Sequence, residues 1–539
     1  IQKIPLITLI SILLLMAAGV FSLQYEPVQT YVSKRVASYL SKQLGTTIYL
    51  SRVYFKPFSS LELEGFGLED RQGQVVMKTR SLTAHFSLAK ILNKKIQIEQ
   101  ITLEEAQFNY HIYKDSTNLT FLINYFSPRK DQQETEPSAI TLDLRKIILV
   151  NSQFSLTNHK YTKRKPGVDF AQLHLTAISG SFDDIQYSPT ETHIDLQKVT
   201  FKEQSGLFVR ELTATSYISN HKMEFNDLLL WTNRSKVGDY LVFYYDKFAD
   251  FGDFVDKVNI EGTLNNAVVD SREIEFFAPS MKDVRFFTTI ERASINGTVS
   301  HLAARNVLMS TGSHTQMEGN FRIDGLPIIE HTRFDFAIER LHTSAEDIEQ
   351  LVPALNHQKA FRLPEQVHAF GQVIYHGKLR GYYHQFEMEG AAETQLGTIH
   401  TNSKISIRPI LHYSGTASTN NFRLGEFLQS KNLGATGFTL QFDGRGTTKE
   451  NLHLSAHGSM HHVNFKDYNY RNMEFEGEVK NQLLYANGHV DDPNASFSFD
   501  GQVNWTIDTP SYQFSSDIDL LDLKKLNLFT KDSIVLSNS

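Results

Sequence analysis

Adjacent histidines and paired carboxylates are the residues of this chain that could do metal or acid–base chemistry. His461 and His462 are neighbours, so on a strand they point to opposite faces and cannot share one metal. Asp183–Asp184 and Asp491–Asp492–Pro493 could work as an acid and a base, yet both stand in turn-like sequence, where aspartate caps its own backbone. The stretch Gly444-Arg-Gly-Thr-Thr-Lys449 superficially resembles a phosphate loop, but it lacks the glycine spacing, has no helix after it, and reads as a hairpin turn. The chain carries no HExxH, GxSxG, P-loop or EF-hand pattern. The expectation is therefore a protein that is not an enzyme, without catalytic residues, cofactor or metal.

What remains is a surface property, and strands must position it. From Ile48 onward apolar residues alternate with polar ones: Ile48 and Leu50, Leu61 and Leu63, then Phe108, Tyr110 and Ile112. The clearest run is near the end. Ala495, Phe497, Phe499, Gly501, Val503, Trp505 and Ile507 fall on one face, and Ser496, Ser498, Asp500, Gln502, Asn504 and Thr506 on the other. Pro510 marks a turn, after which Tyr512, Phe514, Ile518 and Leu520 resume the alternation. Phe497, Phe499, Val503, Trp505, Ile507, Tyr512 and Phe514 are thus the candidate lining of an apolar face. No Lys or Arg interleaves that row, which argues against base stacking with phosphate contacts.

Helical signals after residue 45 are few: Ser344–Leu355, with Ser344 and Asp347 as a capping pair, and short stretches near Leu88–Leu92, Leu119–Phe126, Leu424–Leu428 and Leu521–Leu528. So few helices cannot cover a large sheet with one apolar face. Either the sheet covers itself, as an ordinary sandwich or β-helix, or it is an open groove filled by acyl chains. Weak self-similarity, in runs opening at Leu379 and Gly458 and punctuated near Asn421 and Asp519, suggests a stacked array.

The first residues read differently. Ile4–Leu23 contains no charge and is long enough to cross the roughly 30 Å hydrocarbon layer. Its anchor residues are Ile4, Leu6, Ile7, Leu9, Ile10, Ile12, Leu13, Leu14, Leu15, Val20, Phe21 and Leu23. A cleavable signal peptide is the competing reading, since Ala17, Ala18 and Gly19 are small, but its apolar run stops after about 7–15 residues. Val28, Val32, Val36, Tyr39, Leu40 and Leu44 then recur at helical spacing, with Lys34, Arg35 and Lys42 mostly off the stripe and Gly45 as the stop. This predicts a second, amphipathic helix that leaves the membrane. Only Lys3 precedes the span while three basic residues follow it, a count of little weight for a long domain.

With 41% hydrophobic and 12% aromatic residues among 539, the chain folds. Its net charge of -7 gives no positive field for nucleic acid, and the absence of cysteine excludes disulfides and thiolate metal sites. Ser127–Ser138 and Asn158–Gly167 read as exposed loops. The expected division is a transmembrane anchor (1–24), an amphipathic helix (25–45), an N-terminal β-region (46–126), a middle β-groove region (127–360) and β-groove repeats (361–539).

Several stretches carry a family resemblance. Pro27–Leu40, Leu44–Leu50, Val53–Phe58, Leu63–Asp70, Leu82–Leu88 and Ile98–Phe108 resemble the start of AsmA-like proteins, and within them the TamB group; Val463–Gly477 and Asp491–Gly501 resemble that group's mid-chain repeats. The resemblance implies an all-β fold, an elongated antiparallel repeating β-groove of taco or solenoid type, behind an N-terminal transmembrane helix. It implies a single-pass protein of the inner membrane of Gram-negative bacteria, with its bulk in the periplasm, that serves outer-membrane biogenesis. Two roles come with it: conducting phospholipids between the membranes, or acting in a translocation and assembly module for protein secretion with an Omp85-type barrel partner. The chain ends at Ser539 without the C-terminal domain used at the outer membrane, so it reads as an N-terminal portion and barrel docking is not legible in it.

Overall fold

The computed structural model describes residues 11, 18–19, 21–22, 25–56, 60–86, 96–126, 142–161, 166–188, 190–356, 361–363, 365–446, 448, 450–504, 506, 511–529 and 535–537. From Ile48 onward the period-two pattern becomes strands, twenty-nine among these residues. The chain divides into two units, residues 1–262 with 273–279, and residues 263–272 with 280–539.

Of the anchor residues only Phe21 is among the described ones, helical and 70% exposed; Ile4, Leu6, Ile7, Leu9, Ile10, Ile12, Leu13, Leu14, Leu15, Val20 and Leu23 lie outside them. No helix of the described residues is long and apolar enough to cross a membrane. The helix Glu26–Leu44 is present, with Pro27 in its first turn and a left-handed Gly45 (φ 65°) at its end. Its apolar stripe is buried only in part, with Val28 and Val32 half-buried. Gln29, Ser33, Ala37 and Leu44 are buried, while Val36, Tyr39 and Leu40 of the apolar stripe are exposed. Small side chains let the helix approach the strands Ile48–Tyr49 and Arg52–Lys56, where the Ser41 hydroxyl accepts the Ile48 N–H (2.8 Å) and Glu26 pairs with Arg52 (2.8 Å).

In the first unit the sheet is not wholly antiparallel. Ile96–Glu104 and Gln107–Ile112 both run parallel to Lys146–Asn158. Parallel neighbours need a crossover, and the helix Thr120–Phe126 lies in it, burying Phe121 against Leu44, Leu68 and Val76. From Lys146–Asn158 to Lys236–Tyr244 the strands then pair antiparallel in succession. Asp183–Asp184 is not in a turn: it sits inside the strand His174–Tyr187, where Asp183 pairs with Lys146 (3.2 Å) and Asp184 takes φ 46° at a break in register.

In the second unit fourteen strands, from Phe287–Thr298 to Ser511–Asp522, pair antiparallel in chain order. Two-residue turns fix the register: Lys466–Asp467 (φ 48° and 64°) and Asn481–Gln482 (φ 51° and 61°) are left-handed at both positions, as a type I′ hairpin requires. Gly444 and Arg445 end a strand paired with His453–Phe465, so that stretch is part of a hairpin. The helices Ala345–Asn356 and Leu424–Phe427 each follow a strand running in the same direction, and so occupy the same rim. Ser344 caps the first by accepting the Asp347 N–H (3.2 Å). The helix expected at Leu521–Leu528 is a strand end and one wound turn: Leu521 pairs with Ala495, and Leu526 N–H then donates to the Asp522 carbonyl (3.0 Å). Leu88–Leu92 and Ser127–Ser138 lie outside the described residues, as do residues 162–165 of the Asn158–Gly167 stretch.

Candidate functional site

Register converts the strand alternation into rows that run across the second unit. One row steps from Phe336 through Leu379, Met388, Ser403, Gly415, Phe442, Ala456, Gly477, Ala486 and Gly501 to Phe514, each residue paired with the next. Ten steps at about 4.8 Å give a contour of roughly 48 Å without a charged side chain. A second row, from Phe334 through Phe386, Ile405, Tyr413, Leu454 and Val503 to Tyr512, is likewise uncharged.

One residue away in sequence, the opposite face carries Arg322, Asp335, Arg380, Glu387, Lys404, Asp443 and Glu478 in the same ladder. These pair across strands: Arg380 with Asp335 (2.9 Å), Lys404 with Glu387 (3.0 Å), His412 with Asp443 (3.1 Å) and His453 with Glu478 (2.7 Å). Exposed pairs of this kind stabilise little, but they mark this face as the polar one of the two.

Glycines on the apolar face are covered by aromatic rings from the facing strand. A Cβ on Gly444 would lie 2.4 Å from the Tyr413 ring, one on Gly488 2.8 Å from the Phe499 ring, and one on Gly501 3.2 Å from the Phe514 ring, and each is the ring's register partner. The ring therefore lies along the sheet in the space a side chain would fill. At the facing pair Gly377 and Gly390 the buried Tyr375 does the same, its hydroxyl set between the carbonyls of Lys378 (3.0 Å) and Glu389 (2.9 Å). Burial pushes that hydroxyl up to about 12, so it remains a donor at ordinary pH. Rings laid flat give a smooth lining instead of knobs that would interlock with a second layer.

At the rim beyond Leu521 the face deepens into a cavity of about 420 Å³. Phe497 and Phe514 line it with Leu433, Val463, Phe465, Tyr470, Met473, Ile518, Leu521 and Leu528; Ser516 is the one polar residue. Fully buried Val490, Ala495 and Leu526 pack with Tyr470 beneath.

The candidate lining residues are thus brought together in part. Phe499 stacks on Phe514 (6.3 Å between centroids, 18°) and meets Phe497 (6.3 Å) without lining the cavity. Val503 is half-buried between its partners Leu484 and Tyr512, and Tyr512 and Phe514 are 74% and 66% exposed. Trp505 and Ile507 lie outside the described residues. Val463, Phe465, Tyr470 and Met473 were missed, although Val463 and Phe465 alternate with Asn464 and were legible as one strand face. Ser498 and Asp500 are exposed on the other side as expected.

Asp492 is a buried cap: its carboxylate accepts the Asn494 N–H (2.9 Å), the Arg471 N–H (3.1 Å) and the Tyr468 hydroxyl (2.5 Å). Among the described residues no three His, Asp or Glu come close enough to hold a metal. The arrangement can hold hydrocarbon by contact; for a polar ligand these rows offer only the hydroxyls of Ser403, Tyr413 and Tyr512 and no charge.

No curated protein and no solved structure matches the chain. Residues 1–205, within the first unit, match the model of the AsmA family, to which that part of the chain is similar.

Proposed function

We propose that the chain conducts phospholipids between the inner and outer membranes, their acyl chains lying on the apolar face of the second unit. The observation that carries this reading is the uncharged contour of roughly 48 Å, which leads by register to Phe514 on the cavity wall. In this reading the protein is TamB-like and is not an enzyme. It is held in the inner membrane by Ile4–Leu23, with its bulk in the periplasm and an Omp85-type barrel as a further partner. The AsmA match over residues 1–205 supports the envelope setting.

A second reading, a scaffold that assists assembly of outer-membrane proteins, is favoured by one observation. Ser511–Asp522 is paired on its outer side only at residues 520–522 among the described residues, so its other backbone groups form an edge that a client strand could extend. Mass spectrometry of the gently purified protein separates the two. Conduction predicts co-purified phospholipid, reduced in Phe514→Asp with an unchanged melting temperature, because position 514 is open to water while a carboxylate there repels hydrocarbon. A lipid-free protein would contradict it.

A further inference from the structure

We infer a second lipid contact, independent of conduction: the outward stripe of the helix Glu26–Leu44 lies in the headgroup layer of a bilayer that contains anionic phospholipid. An amphipathic helix of a water-soluble domain turns its apolar stripe inward. In this one only the Leu44 end of the stripe is buried and Val28 and Val32 are half-buried, while its middle faces outward. Its sheet side is Gln29, Ser33 and Ala37, while Val36 and Tyr39 of the stripe are 44% and 63% exposed. The occupant follows from three features. The charge-free run Ile4–Leu23 ends three residues before the helix, so the helix stands wherever that run inserts. Tyr25 and Tyr31, beside the stripe, are exposed, and tyrosine favours the boundary between hydrocarbon and water. The helix carries Lys34, Arg35 and Lys42, and its single acidic residue, Glu26, is engaged by Arg52 at 2.8 Å, which leaves its outward charge positive.

The chain has no cysteine, so single substitutions can be labelled cleanly. Val36→Cys and Ser38→Cys both fall at exposed positions, about 200° apart around the helix. Each full-length variant, carrying an NBD fluorophore, is reconstituted in vesicles of phosphatidylethanolamine and phosphatidylglycerol with brominated acyl chains. The inference predicts blue-shifted emission quenched by bromine at Val36→Cys, and green emission quenched by aqueous iodide at Ser38→Cys. Equal iodide quenching at both positions would overturn it, as would shielding at Val36→Cys without bromine quenching, the signature of a protein contact. In phosphatidylcholine vesicles the bromine quenching at Val36→Cys should fall; unchanged quenching would overturn the anionic requirement.

Discussion

Side-chain volume on the apolar face is set by what the facing strand places over each position. At Gly488 a Cβ would lie 2.4 Å from the Glu474 carbonyl and 2.8 Å from the Phe499 ring; the backbone cannot yield as a side chain can. Gly488→Ala should therefore cost about 1–3 kcal/mol in denaturant unfolding. Gly477, on the neighbouring row, is the control, because its Cβ would meet only the Tyr485 carbonyl, at 3.6 Å. Gly477→Ala should stay within about 0.5 kcal/mol of the parent. Equal effects at the two glycines would contradict the flat-ring lining.

Among the elements, the helix Ala345–Asn356 is tied to its surroundings by charged groups. The Asp347 carboxylate accepts the Thr315 hydroxyl (2.9 Å) and the His314 N–H (2.8 Å). Glu349 accepts the Leu363 N–H (2.8 Å) and Arg362 (2.7 Å), and His368 sits between Glu346 (3.1 Å) and Glu349 (3.3 Å). The bond to Glu346 raises His368, and the same bond lowers Glu346 to about 2. A raised histidine stabilises the fold fully below its ordinary 6.5, and that contribution is lost as pH rises through the raised value. A lowered carboxylate stabilises it fully above its ordinary 4.5, and that contribution is lost as pH falls toward 2. Hydrogen-exchange protection of residues 345–356 should therefore peak between pH 4.5 and 6.5. His368→Gln should flatten the profile, and an unchanged profile would show that the clamp does not hold the helix. How much of the elements was legible follows from what alternation encodes. Ala495–Asn504 was readable because one of its faces meets water, so the pattern states the answer outright. In Glu26–Leu44 the same kind of pattern told which residues share a side but not how much of that side packs: Leu44 is buried and Val28 and Val32 half-buried, while Gln29, Ser33 and Ala37, beside the stripe, are buried as well. The parallel pairing of Gln107–Ile112 with Lys146–Asn158, and the meeting of Tyr470 and Met473 with Phe497, depend on partners far along the chain that local periodicity does not name.

For the molecule as a whole, the central claim rests on the second unit presenting two unlike faces. Backbone ladders hold the sheet, whose strands among the described residues of this unit pack mainly against their register neighbours, and this leaves the apolar rows available to hydrocarbon. Because the faces alternate with every residue, the test can be made one residue apart. Photo-crosslinkers at Phe442, Phe475 and Phe514 should form phospholipid adducts in membranes, and crosslinkers at their neighbours Gln441, Glu474 and Gln513, on the charged face, should form none. Adducts at both members of each pair, or at neither, would contradict the account.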